Sequence, residues 1–73
     1  MIYVTFEVID WDRKLKIAVE CETIGEANEV AADARSTDGV KNIRFNRCGR
    51  LGKRNVFDIQ EYFTYKIWDA WYK

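Results

Sequence analysis

Seventy-three residues, 48% hydrophobic and 33% charged, are enough for one compact domain spanning 1–73 and argue against disorder. The formal net charge is zero and histidine is absent, which removes the commonest general base, the Ser–His and Cys–His nucleophile pairs and the commonest metal ligand. No stretch approaches the roughly 20 apolar residues of a membrane span and no basic leader precedes an apolar run, so a non-membrane, cytoplasmic protein is expected.

Residues 2–9 alternate. Ile2, Val4, Phe6 and Val8 share one face, and Tyr3, Thr5 and Glu7 share the other, as in a half-buried strand. Asp10-Trp11-Asp12-Arg13 reads as a turn, because two aspartates flank the tryptophan. Residues 14–22 alternate again, with Leu15, Ile17, Val19 and Cys21 opposite Lys14, Lys16, Ala18, Glu20 and Glu22. The pattern predicts a β-hairpin with one dry side.

Thr23 followed by Glu26 is a capping-box signature for a helix start. Ile24, Ala27, Ala31 and Ala34 then recur at helical spacing with Val30 beside them, and the small alanines allow close approach to a sheet. Ser36-Thr37-Asp38-Gly39 ends the helix, with Gly39 available for a left-handed turn. Val40–Cys48 predicts a third strand with Ile43 and Phe45 inward, and Gly49–Arg54 a loop.

Residues 55–72 read two ways. As a helix, Asn55 caps it, Asp58 sits in the first turn, and Val56, Ile59, Phe63, Ile67 and Ala70 share a face. As a strand, the segment has high β-propensity but is too long, with no turn residue dividing it. The helix is preferred. The expected fold is therefore α+β: β-hairpin, helix, strand and a C-terminal helix, with an antiparallel sheet packed by helix.

Cys21 and Cys48 lack metal or redox spacing, so two reduced thiols are expected, with a disulfide between them as the alternative. No catalytic residue, cofactor or metal is expected.

Charge is segregated along the chain. Residues 1–40 hold nine carboxylates against four bases, whereas residues 41–54 hold six bases and no acid. Two candidate surfaces follow. Glu22, Glu26, Glu29 and Asp33 stand at steps of four, three and four, so they line one face of the predicted helix. With Trp11, a residue type enriched at interface hot spots, they suggest contact with a protein partner. The specific form of that idea is a phage- or mobile-element-type inhibitor of a nucleic-acid-processing enzyme, its carboxylates standing in for phosphates. The bland alternative is a solvated helix face.

The other surface is basic: Arg44, Arg47, Arg50, Lys53 and Arg54, on a glycine-flanked loop and the strand before it, suited to the phosphates of DNA or RNA. Its bland alternative is a solvated turn. Gly49-Arg50-Leu51-Gly52 is similar to the GxxG loop of K-homology domains, but only the two glycines match and the loop here follows a strand, so no family is assigned. A P-loop is excluded, because Arg54 stands where that motif needs Ser or Thr after Gly52-Lys53. Trp68, Trp71 and Tyr72 crowd the C-terminal aromatic segment, which offers either core and its rim or a homodimer surface.

Overall fold

The computed structural model describes residues 1–10, 13–47 and 51–65. The element order is β1 (Ile2–Asp10), β2 (Arg13–Cys21), α1 (Ile24–Arg35), β3 (Val40–Asn46), β4 (Asn55–Asp58) and α2 (Ile59–Tyr65). The fold is α+β, and the four strands form one sheet in the order β3-β1-β2-β4.

The hairpin follows the alternation. β1 and β2 pair antiparallel from Ile2↔Cys21 to Asp10↔Arg13 without a break. This register keeps Val4, Phe6 and Val8 on one face with Ile17, Val19 and Cys21, and all six are buried. Each such side chain, removed from water, contributes about 1.5–3 kcal/mol. Cys21 is a free thiol, and burial, with the Glu26 charge nearby, pushes its pKa up to about 11. Cys48 lies outside the described residues.

α1 covers that face with Ala27, Val30, Ala31 and Ala34, all buried. Ile24, expected inward, is instead 47% exposed, because it opens the first turn before the helix has settled onto the sheet. The cap forms as the sequence implies. Thr23 Oγ1 accepts from the Glu26 amide at 3.2 Å, and Glu26 Oε1 accepts in return from the Glu22 amide at 2.8 Å. Thr23→Ala should cost about 1 kcal/mol of stability, readable as a lower urea midpoint with an unchanged slope.

Gly39 ends the α1–β3 connection at φ +87°, and its carbonyl accepts from the Ile9 amide at 2.8 Å. A Cβ there would lie 2.8 Å from the Ile9 carbonyl oxygen. Gly39→Ala combines that clash with a left-handed backbone and should cost about 2–3 kcal/mol in thermal or urea unfolding.

β3 pairs antiparallel with β1, but the register shifts between Thr5 and Glu7. β1 spends two positions from Glu7 to Thr5 where β3 spends three, from Lys41 to Arg44. This is a bulge, and Asn42 sits in it at φ 59°, a conformation asparagine tolerates better than most residues. Ile43 packs against the core as expected. Phe45 does not bury: it shares the face of Val4, yet on this edge strand it stays 43% exposed.

The C-terminal segment departs from both sequence readings. Asn55–Asp58 is a strand that pairs parallel with β2, from Ile17↔Asn55 to Glu20↔Asp58, so the otherwise antiparallel sheet is mixed. The helix starts only at Ile59. Asp58, not Asn55, caps it: Asp58 Oδ1 accepts from the Glu61 amide at 2.7 Å and Glu61 Oε1 from the Asp58 amide at 3.2 Å. Val56 and Phe63, expected inward, are 46% and 40% exposed, whereas Tyr62 is buried at 1%. Ile67, Ala70, Trp68, Trp71 and Tyr72 lie outside the described residues.

The topology then decides what lies on each face. β2, β3 and β4 run in one direction and β1 against them. The chain crosses from β2 to β3 by α1, then from β3 back across the sheet to β4. Parallel crossovers are right-handed almost without exception, so two crossovers travelling in opposite directions use opposite faces. α1 covers the core face, and Arg54, just before β4, lines a cavity with Thr5 on the other. Thr5 and Ala18, register partners on that second face, are accordingly 4% and 0% exposed. The alternation alone had left them on a wet side.

Candidate nucleic-acid interface

The face of the sheet turned away from the helices is built from the odd positions of β1 and the even positions of β2. Lys14 and Lys16 are exposed there on β2. On β3, Lys41 stands opposite Glu7 and Arg44 opposite Thr5, so both project to the same side. Glu7 is the carboxylate between them, and Glu20, opposite Tyr3 and beside Asp58, is a second at the far end of β2. Glu7 Oε2 accepts from Asn42 Nδ2 at 2.8 Å and lies 3.2 Å from Lys14 Nζ. The Asn42 hydrogen bond, then Lys14 and Lys16, hold its pKa below the ordinary 4.5 against a partial desolvation. The bulge at Asn42 thus has a local use: it aims an amide at the acid that lies between Lys14 and Lys41 on this face.

Of the predicted basic residues, the fold brings two together. Arg54 arrives from the crossing segment and Arg44 from the far edge strand, and both line a cavity of about 230 Å³ with Thr5, Phe6, Glu7 and Asn42. Thr5 Oγ1 donates to the Arg44 carbonyl at 3.4 Å. Arg54 Nη1 donates to the Leu51 carbonyl at 3.0 Å, which ties the guanidinium to its own turn. Its Nε is buried and has no hydrogen-bond partner among the described residues. Lys53 is exposed in the turn beside Gly52, whose φ is +61°. Arg47 is exposed beyond the end of β3, and Arg50 lies outside the described residues. Lys14, Lys16 and Lys41 were missed as members of this surface. The alternation already placed Lys14 and Lys16 on the polar side, but only the strand order shows that β3 adds its cations to the same face.

The acidic stripe is divided by the fold. Glu22 and Glu29 are exposed. Glu26 is used in the α1 cap, and Asp33 Oδ2 accepts from the Tyr62 hydroxyl at 2.7 Å. Burial first, then the hydrogen bond and charge of Asp33, raise the Tyr62 pKa far above its ordinary value of 10. Two of the four stripe carboxylates therefore serve the fold itself. Trp11 lies outside the described residues.

A second cavity, about 210 Å³, is lined by Met1, Glu20, Glu22, Glu26, Asp58 and Ile59. Glu26 and Asp58 spend a carboxylate oxygen each on helix caps there. Among the described residues no group of three or more acidic or thiol side chains is placed to hold a metal, and no helix is long and apolar enough to cross a membrane. No family model, curated protein or solved structure matches the chain.

Proposed function

We propose that the protein is a non-catalytic nucleic-acid-binding module that sets the helix-free face of its sheet against phosphates. The observation that carries this reading is the convergence of Arg44 and Arg54 on one cavity, on the face that also bears Lys14, Lys16 and Lys41. Guanidinium groups pair with phosphate oxygens in forked geometry, and lysines around them add sequence-independent attraction. Glu7, 3.2 Å from Lys14, offsets one of these five positive charges and leaves the face net positive. The zero net charge conceals this face because twelve carboxylates offset twelve bases over the whole chain, among them the exposed Glu22 and Glu29 on the helix side.

A second reading keeps the helix side as a docking surface for a protein partner, such as a nucleic-acid-processing enzyme inhibited by the chain. Its support is the exposure of Glu22 and Glu29, a shorter stripe than the sequence suggests. One titration separates the two. Labelled single- and double-stranded DNA and RNA should bind with a Kd of about 1–100 µM and weaken steeply between roughly 50 and 200 mM salt. Absence of binding at the lower salt would overturn the nucleic-acid reading and leave the helix side as the surface to pursue.

A further inference from the structure

We propose that the cavity between Arg44 and Arg54 is a discrete seat for a single phosphate group, and so more than one patch of a diffuse basic field. The inference rests on the nucleic-acid reading for its biological ligand, but its chemistry stands on the cavity. Three observations converge on it. The volume, about 230 Å³, is several times the roughly 30 Å³ that a water occupies, so a phosphate fits with water around it. The walls supply donor-bearing residues from two elements: Arg44 and Asn42 on β3, the latter already giving one amide hydrogen to Glu7, and Arg54 on the segment before β4.

The third observation is the Nε of Arg54, buried without a partner among the described residues. A buried unpaired donor costs about 1–3 kcal/mol. Nε as it stands is closed to solvent, so a phosphate oxygen would reach it and remove that cost by a small rotation of the Arg54 side chain. A diffuse electrostatic surface has no such requirement, because exposed cations are satisfied by water. Glu7 limits what can enter: its carboxylate lines the same cavity, so the seat favours a ligand that meets the two guanidiniums and stays clear of Glu7. A compact tetrahedral anion on a chain end, or a backbone phosphodiester laid across the sheet, presents that shape. The shared chemistry is the phosphate group.

The test is a titration of the full chain with sodium phosphate against sodium chloride at equal ionic strength, followed by nitrogen-15 NMR. The expected result is a phosphate-specific shift of the Arg54 Nε–H and of the Asn42 and Arg44 signals. Arg54→Lys keeps the charge but removes the fork, and should weaken that response at least about tenfold. Arg44→Lys is the second variant, used where spectral dispersion shows the first misfolded. Equal shifts in phosphate and chloride, or an unweakened response in a folded lysine variant, would overturn the seat. Oligonucleotides with and without a 5′-phosphate then distinguish the sources. A gain from the terminal group assigns the seat to chain ends, and equal shifts at Arg54 Nε assign it to the backbone. Nucleic-acid binding that leaves Arg54 Nε unmoved would sink the seat and spare the wider reading. A phosphate response without nucleic-acid binding would do the reverse.

Discussion

Tyr62→Ala should destabilise the domain by about 3–5 kcal/mol. At roughly 0.05–0.15 kcal/mol per residue, a chain of 73 residues holds only about 4–11 kcal/mol in total, so this one change removes about a quarter of the stability or more. Tyr62 is 1% exposed and is the largest fully buried side chain among the described residues. It meets Phe6 edge-on at a centroid distance of 6.2 Å and its neighbour Phe63 at 5.0 Å. Its hydroxyl reaches Asp33 on α1, so one residue joins α2 to the sheet and to the other helix. Tyr62→Phe keeps the ring and should cost about 1.5–3 kcal/mol, the value of a hydrogen bond to a charged acceptor. Asp33→Ala paired with Tyr62→Phe closes a double-mutant cycle, in which a coupling near zero would show that the bond contributes nothing. A loss under about 1 kcal/mol for Tyr62→Ala, by urea unfolding, would mean that α2 is not part of the cooperative core.

The parts of the fold that were legible are those whose signal is local. The alternation in β1 and β2 gave both strands, their faces and six of the core residues, because a dry face imposes period two on whatever occupies it. Thr23 and Glu26 announced the start of α1 for a similar reason, since the bonds that make a capping box lie within four residues. β4 was not legible. Val56 and Phe57 have no period of their own over four residues, and what makes them a strand is the open edge of β2 some forty positions earlier in the chain. The true cap of α2, Asp58 with Glu61, carried the same kind of signature as Thr23, but strong neighbouring β-propensity and a plausible Asn55 obscured it. Tyr62 was missed because starting the helix at Asn55 turned a different face inward.

The candidate site divides the same way. That the 44–54 stretch is basic is visible in composition. That Arg44 and Arg54 meet, and that Lys41 joins Lys14 and Lys16, depends on strand order, which no single segment encodes. In the other direction, the acidic periodicity of α1 was real, but the sequence could not tell which carboxylates the fold would consume. Asp33 is committed by a residue on α2 and Glu26 by the chain just before α1.

The sharpest test of that division is a pair of charge-removing variants on opposite faces. Lys41→Gln with Arg44→Gln should lower nucleic-acid affinity about 50- to 100-fold at 0.1 M salt. Each lost phosphate contact removes a power of about 0.9 in salt concentration, so the slope of log K against log salt should fall by about 2. Both residues are exposed on edge strand β3, so removal of their charge should leave the fold intact. The register places them beside Glu7 and Thr5 on the helix-free face. Glu22→Gln with Glu29→Gln removes the same number of charges from the helix side. This second pair should leave the salt slope unchanged and raise affinity slightly, because it only makes the whole molecule more positive. If the two pairs shift affinity by equal and opposite amounts with no change in slope, binding follows net charge and the sheet face has no special part in it. A slope that falls only for the β3 pair assigns the phosphate contacts to that face. A loss of function confined to the helix-side pair would instead make Glu22 and Glu29 the working surface, and the basic sheet its counterweight.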